Sequence, residues 1–256
     1  MEIILTITLS FIFGTFWGSF FYTLALRYAD SRIKDSPLKA LFSRSQCPMC
    51  MKKISPLLLI PIVGFIIQKG RCRNCGSRIS VLYPASEILY GIMASLFAWK
   101  FGITIYGFNI YLLAGIALSI SIIDVKTFII PDSLVIAFTL LSIYPILLNN
   151  NIKDNLWGFL TLFAIFIVIL LVFPGSFGGG DLKLASAIGL LSGFETSIVI
   201  LEISLISGAI IGIIYALKTR KSLRTRIPFA PFLTIGLIVS LLYGREILLV
   251  YYRILY

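Results

Sequence analysis

The chain has 256 residues, 59% of them hydrophobic, with 22 Lys and Arg against 11 Asp and Glu, a net charge of +11 and a mean hydropathy of +1.00. A soluble core of this length is wrapped in polar residues, so the composition excludes a soluble domain and points to a polytopic membrane protein. The cations gather in loops between apolar runs, which assigns them to membrane orientation rather than to a nucleic-acid partner. The absence of His removes Ser/His and Cys/His nucleophiles and every His-ligated metal site.

Apolar runs of about 17–25 residues are the unit of a helical span. Eight are predicted, over 3–26, 83–99, 103–123, 131–148, 156–173, 182–191, 196–217 and 229–243. The fold class is therefore an all-α membrane protein, a bundle of about eight transmembrane helices. The first run lacks a positive n-region and a small-residue cleavage site, so it is expected as a retained span. The sixth is short and rich in Gly, Ala and Ser, the composition of a half-span or a closely packed internal helix. The aromatic segment 245–256 is expected at the interface. Residues 1–100 are expected to form one part, two spans with a polar loop over about 27–82, and residues 101–256 a six-span core.

If the runs cross in turn, 18 of the 22 Lys and Arg fall on one side. These include Arg32, Lys34 and Lys39 in the first loop and Arg220, Lys221, Arg224 and Arg226 in the loop after the seventh run. Only Lys100, Lys153, Arg245 and Arg253 fall on the other. The cation-rich side is cytoplasmic by the positive-inside rule, which places both termini outside.

The first loop holds every cysteine of the chain, as Cys47-Pro-Met-Cys50 and Cys72-Arg-Asn-Cys75, with 21 residues between the pairs. Two Cys-x-x-Cys knuckles in a reducing compartment fit a tetrathiolate zinc site, structural because four thiolates leave no open position. Free thiols and a redox disulfide are the alternatives. Residues 54–67, between the knuckles, are too few to span and are expected to lie in the interface or pack on the bundle.

Three acids, Asp124, Asp132 and Asp181, fall at the cytoplasmic ends of apolar runs. An acid beside hydrocarbon is costly to keep and marks a functional site by default. Two carboxyls sharing a proton can hydrolyse a peptide bond without metal or covalent intermediate, one activating water and the other protonating the scissile carbonyl. Gly178, Gly179 and Gly180, just before Asp181, permit close backbone approach and leave N–H groups for a substrate carbonyl. The alternatives are structural: Asp181 and Asp132 as helix caps, Asp124 as an interfacial acid beside Lys126. Glu87 and Glu202 read as polar contacts between helices. No Gly-Lys-Ser/Thr follows the glycine run, which excludes a phosphate loop.

At these residues the chain resembles the type IV prepilin peptidases, the leader peptidases with a Gly-x-Gly-Asp motif. The resemblance runs from Gly18-Ser19-Phe20 and Arg27, through Cys47-x-x-Cys50, Ile60-Pro61, Lys69-Gly70-Arg71-Cys72-Arg73-x-Cys75, Tyr83-Pro84 and Glu87. It continues through Asp124, Pro131-Asp132 and Gly178-Gly179-Gly180-Asp181-Leu182-Lys183-Leu184 to Pro228-Phe229-Ala230-Pro231-Phe232. It implies an eight-helix aspartic endopeptidase of the bacterial cytoplasmic membrane, with Asp124 and Asp181 as the catalytic pair and Asp132 as a supporting acid. The substrates implied are prepilins and pseudopilins, cut after Gly at the cytoplasmic face. N-methylation of the new terminus with S-adenosylmethionine follows in many members. Two positions depart from the pattern: Tyr22 stands where the family has Asn, and Ala230 where it has Gly. Both are expected to lie away from the aspartates and to bear on methylation. Competing readings are a presenilin-like intramembrane protease, an ion-coupled transporter and an inactive zinc-loop scaffold for pilus assembly.

Overall fold

A computed structural model describes residues 2–30, 44–173, 175, 177–219 and 227–255. Arg32, Lys34, Lys39, Arg220, Lys221, Arg224 and Arg226, which carry much of the charge argument, lie outside the described residues. The helices are α1 (Glu2–Ala29), α2 (Val63–Ile67), α3 (Leu82–Phe101), α4 (Ile105–Thr127) and α5 (Asp132–Asn149), then α6 (Ile152–Val172), α7 (Gly179–Ser192), α8 (Phe194–Thr219) and α9 (Ala230–Leu255), with a 3-10 turn at Pro56–Leu59. Among the described residues the only β pairing is two isolated bridges, Gln46 with Lys53 and Arg71 with Arg78. The protein is an all-α polytopic membrane protein.

Each of the eight expected runs forms a helix. Six, α1, α4, α5, α6, α8 and α9, are long and apolar enough to cross a membrane. Helix α7, with 14 residues, is about 21 Å long, short of a hydrocarbon core of about 30 Å. The eighth run does not stop at Tyr243: α9 continues as one helix through Gly244-Arg245-Glu246 to Leu255. A single glycine and an adjacent ion-forming pair cost a helix little, and no proline interrupts it.

The chain divides into two compact units, Met1–Tyr111 and Leu112–Tyr256, with the division inside α4. In the first, α1 and α3 run antiparallel along a seam of small residues. A Cβ on Gly14 would stand 2.5 Å from the Ala94 Cβ, and one on Gly18 would stand 2.7 Å from the Tyr90 Cβ. The rings of Phe21 and Tyr90 stack beside this seam at 5.5 Å.

In the second unit the short α7 is held by α6. A Cβ on Gly158 would lie 2.3 Å from the Gly189 carbonyl oxygen, and one on Gly189 would lie 2.4 Å from that of Gly158. The Asn155 amide, buried beside this contact, donates to the carbonyls of Leu190 (2.8 Å) and Leu191 (3.3 Å). These are carbonyls of the last turn of α7, which have no partner within the helix. The Asp154 carboxylate accepts the Phe194 N–H at 3.1 Å, opening α8. Helix α9 joins the final turns of α4 through Thr234, whose hydroxyl donates to the Ala117 carbonyl at 3.0 Å and lies 2.7 Å from the Ser121 hydroxyl.

The Gly158–Gly189 contact yields the first prediction. Gly158→Ala, which adds one methyl against a backbone carbonyl, is expected to cost about 1–3 kcal/mol. In a thermal scan of the detergent-solubilised protein this lowers the midpoint by roughly 2–12 °C. Gly179→Ala, which meets nothing within 4 Å, leaves the midpoint unchanged.

Candidate functional site

Asp124 sits in the last turn of α4, with 5% of its surface exposed. The helix stops three residues later, at Thr127, and Phe128 follows with a φ of 55°, an unfavourable conformation for a bulky side chain. The Thr127 hydroxyl secures the exit, donating to the Ile123 carbonyl (2.9 Å) and accepting the Ile129 N–H (3.3 Å). The Asp124 Oδ2 accepts the N–H of Ala230 at 3.1 Å. Ala230 is the first residue of α9, and a first-turn N–H has no intrahelical acceptor. Asp124 therefore caps α9 from another helix, where the positive end of the helix dipole favours an anion.

Asp181 is the third residue of α7 and is 9% exposed. Its Oδ2 accepts the Gly178 N–H at 2.9 Å. This is the acidic half of a capping box; glycine has no side chain to return the bond. Asp181 is thus not the N-cap that sequence offered as its alternative, although one of its oxygens does stabilise the helix start. The other oxygen, Oδ1, is buried and accepts no hydrogen bond among the described residues. A buried acceptor left without a donor costs about 1–3 kcal/mol, so this oxygen is set to receive a water or substrate proton. Asp124 is near enough for its charge to act on Asp181.

A cluster of three rings ties the two helix starts together. Phe177, just before α7, packs on Phe229, just before α9, with ring centroids 4.6 Å apart. Phe166 of α6 packs on both, at 5.3 and 5.9 Å. The turn leaving α4 is fixed to α7 at two further points. Ile130 fills the space over Gly180, where an added Cβ would stand 2.9 Å from the Ile130 Cβ. Asp132, the first residue of α5, pairs with Lys183 at 2.8 Å, both side chains more than half exposed (64% and 56%). An exposed pair of this kind contributes about 0–1 kcal/mol. Asp132 is therefore joined to Lys183 at the surface, while Asp124 and Asp181 are the buried pair.

Ala230 corrects one expectation. It does not lie away from the aspartates: its N–H holds Asp124. Its departure from glycine therefore falls in the aspartate site, with the Ala230 side chain fully buried. Tyr22 lies in the other unit, with its ring 5.0 Å edge-on to Tyr83.

The cysteine loop is a separate site in the first unit. Its two knuckles repeat one geometry. The Met51 N–H donates to the Cys47 carbonyl and the Gly76 N–H to the Cys72 carbonyl, each at 2.8 Å. The Cys47 N–H donates to Lys52 (3.0 Å) and the Cys72 N–H to Ser77 (2.8 Å). Met51 and Gly76 share a left-handed φ, 57° and 70°, which only the glycine adopts without strain. All four sulfurs lie within 4.8 Å of one another, and those of Cys47 and Cys75 are 3.8 Å apart. A tetrahedron with Zn–S bonds of about 2.3 Å has edges of about 3.8 Å, so the residues fit zinc. The Cys50 N–H, the Ser77 hydroxyl and neighbouring donors hold the Cys47 thiol down at about 6 against the opposing pull of burial. The Cys50 thiol, bonded to the other cysteines, is pushed up to about 11 in turn. Ser77, whose hydroxyl lies 3.1 Å from the Cys75 sulfur and 3.6 Å from that of Cys47, was not singled out in sequence; only its place two residues after a knuckle cysteine hints at it.

Residues 12–101 match the bacterial peptidase A24 N-terminal domain, and residues 111–213 match the type IV leader peptidase family. The prepilin leader peptidase/N-methyltransferase of Bacillus subtilis (strain 168) is 31% identical over 249 residues, covering 96% of this chain and 98% of that protein. The chain belongs to the type IV leader peptidase family. The protein of the same name from Legionella pneumophila is 31% identical, covering 87% of this chain and 80% of its own length. The one from Stutzerimonas stutzeri is 30% identical, with 79% and 73% covered. No solved structure matches the chain. The first matched segment contains the four cysteines, and the second contains both buried aspartates. The Ala230 N–H lies beyond the second.

Gly180→Ala drives a methyl into Ile130 and displaces the neighbouring Asp181, so peptidase kcat/KM is expected to fall by about tenfold or more. Gly179→Ala, in open space, changes it by less than about threefold; equal effects would show that the glycines act through flexibility alone. Purified protein is expected to hold one zinc per chain by elemental analysis. Chelation or Cys72→Ser then exposes the loop to trypsin at Lys52 or Arg71, and zinc-free protein with a protected loop would contradict the assignment.

Proposed function

We propose that the protein is an aspartic endopeptidase of the bacterial cytoplasmic membrane that removes the basic leader of type IV prepilins or pseudopilins after Gly. The observation that carries this reading is the pair of buried carboxylates, each with one oxygen held by a backbone N–H at a helix start and Asp181 Oδ1 left open. The names of the relatives supply the substrate class.

In this reading a water between the carboxyls loses a proton to the ionised one as its oxygen attacks the scissile carbonyl carbon. The other carboxyl, protonated, gives its proton to the carbonyl oxygen. Collapse of the tetrahedral diol breaks the C–N bond, and the leaving amine takes up a proton from the pair. Asp124 and Asp181 are the catalytic residues. The Gly178 N–H holds one oxygen of Asp181, Gly180 leaves room for Ile130 beside it, and Asp132 supports the site through Lys183. Both termini face outward and both sites face the cytoplasm, following the loop charges. Residues 1–100 would carry the zinc loop, and residues 101–256 the peptidase core.

Methylation of the new N-terminus with S-adenosylmethionine is the second half of the proposal, supported by the relatives' names. A cavity in the first unit, lined by Phe13, Phe97, Phe108 and Tyr111 among others, measures about 100 Å³. It is too small and too apolar for a nucleoside ligand, which occupies pockets of about 300 Å³ upward, so no residue is assigned to the cofactor.

Incubation of the purified enzyme with prepilins in detergent tests the reading, with product termini read by mass spectrometry. A single cut after the leader Gly is expected, with a methyl increment only when S-adenosylmethionine is added. Cuts inside the apolar helix would favour a presenilin-like protease, and silence on several prepilins would favour a scaffold.

A further inference from the structure

The segment between the zinc knuckles has features that neither the peptidase reading nor the metal requires. Residues 54–67 carry no charge. They fold as the 3-10 turn Pro56–Leu59 packed back to back on α2: a Cβ on Gly64 would stand 2.1 Å from the Leu58 carbonyl oxygen. Two so closely joined pieces form one rigid wedge, and its outer face is apolar. Leu57 (71%) and Ile66 (65%) are the most exposed, joined by Leu59, Val63 and Ile67. So many bare aliphatic side chains on one small element mark a surface that something covers.

Part of the wedge backbone is bonded within the wedge itself. Leu58 N–H donates to Ser55 (2.9 Å), Gly64 N–H to Ile60 (2.8 Å) and Ile66 N–H to Ile62 (3.1 Å). The Gln68 side chain turns back on the Leu58 and Gly64 carbonyls. The Ile62 N–H is bonded outside the wedge. The φ of 63° at Ile62 is strained for a β-branched residue and takes this N–H out of the helical pattern. The buried Glu87 of α3, itself bonded to Ser19 of α1, accepts that N–H at 2.6 Å. This bond is made inside the protein and ties the wedge to α3. Lys52 and Lys53 precede the wedge, and Lys69, Arg71 and Arg73 follow it, so the apolar face is bordered on both sides by cations.

We propose that residues 54–67 insert as a wedge into one leaflet of the bilayer, with the flanking cations on anionic headgroups, so that the cysteine cluster is seated on the membrane surface. An apolar face with a basic border is the chemistry of an interfacial membrane anchor. Glu87 is its positioning residue.

The test uses the full-length protein in nanodiscs of phosphatidylethanolamine and phosphatidylglycerol, with the photocrosslinking residue p-benzoylphenylalanine placed at Leu57, Ile66 or, as control, the exposed knuckle residue Asn74. On irradiation, intact-protein mass spectrometry is expected to show lipid adducts at 57 and 66 in several-fold excess over 74. Replacing phosphatidylglycerol with phosphatidylcholine is expected to reduce them. Equal yields at the three positions would overturn the proposal, as would adducts from 57 and 66 to a second copy or to an added prepilin. Yields indifferent to lipid charge would overturn the headgroup contact. Both labels lie on exposed side chains and report independently, and neither measurement requires peptidase activity, so failure here leaves the proposed function untouched.

Discussion

The aspartate site depends on one constraint: a carboxylate can be kept in a nearly dry place only if the protein supplies donors that do not themselves need solvent. Helix starts supply them. The first N–H groups of a helix have no internal acceptor and stand at the positive end of its dipole. Asp124 takes one such donor from α9 and Asp181 takes one at the start of its own α7. At Asp181 one oxygen is fixed in this way, and the second accepts no hydrogen bond among the described residues.

Much of the second unit serves to bring those two helix starts together. The ring cluster of Phe166, Phe177 and Phe229 joins the segments that lead into α7 and α9. The Gly158–Gly189 contact draws α7 against α6, and Gly180 gives Ile130 room to hold the turn that follows Asp124. A helix as short as α7 could not be placed by hydrophobic length in the bilayer. Close backbone contacts place it instead, which explains a composition of Gly, Ala and Ser in a segment surrounded by Leu and Ile. The cysteine loop solves a different problem by different means. It has almost no core of its own, so four sulfurs at metal-binding distance take the place of one.

The acids and the cysteines were legible in the sequence because each is an unusual residue in its setting. Asp124 follows an unbroken apolar run, Asp181 follows three glycines, and two Cys-x-x-Cys pairs account for all four thiols. What was not legible is carried by ordinary groups. The partner of Asp124 is a backbone N–H 106 residues away, which leaves no mark in side-chain pattern, and for that reason Ala230 was misplaced. Phe177 and Phe229 are two among 20 phenylalanines. The three glycines look alike in a string, yet Gly180 faces Ile130 and Gly179 faces open space. The continuity of α9 through Arg245 and Glu246 was hidden because a polar step ends a hydrophobic run without ending a helix. Glu87 was seen only as a contact between helices; its bond to a strained loop N–H depends on a φ value that no periodicity encodes.

The most direct measurement is cleavage of a prepilin by wild type, Asp124→Asn and Asp181→Asn, each variant alone and each checked for an unchanged helical spectrum. Asparagine keeps the shape and the backbone contact of each acid and removes only its capacity to hold or release a proton. Loss of cleavage in both variants is the predicted result, since neither carboxyl can do the other's part. Wild-type rates in either one would contradict the paired site, reduce that residue to a helix cap, and make Asp132 the next acid to examine.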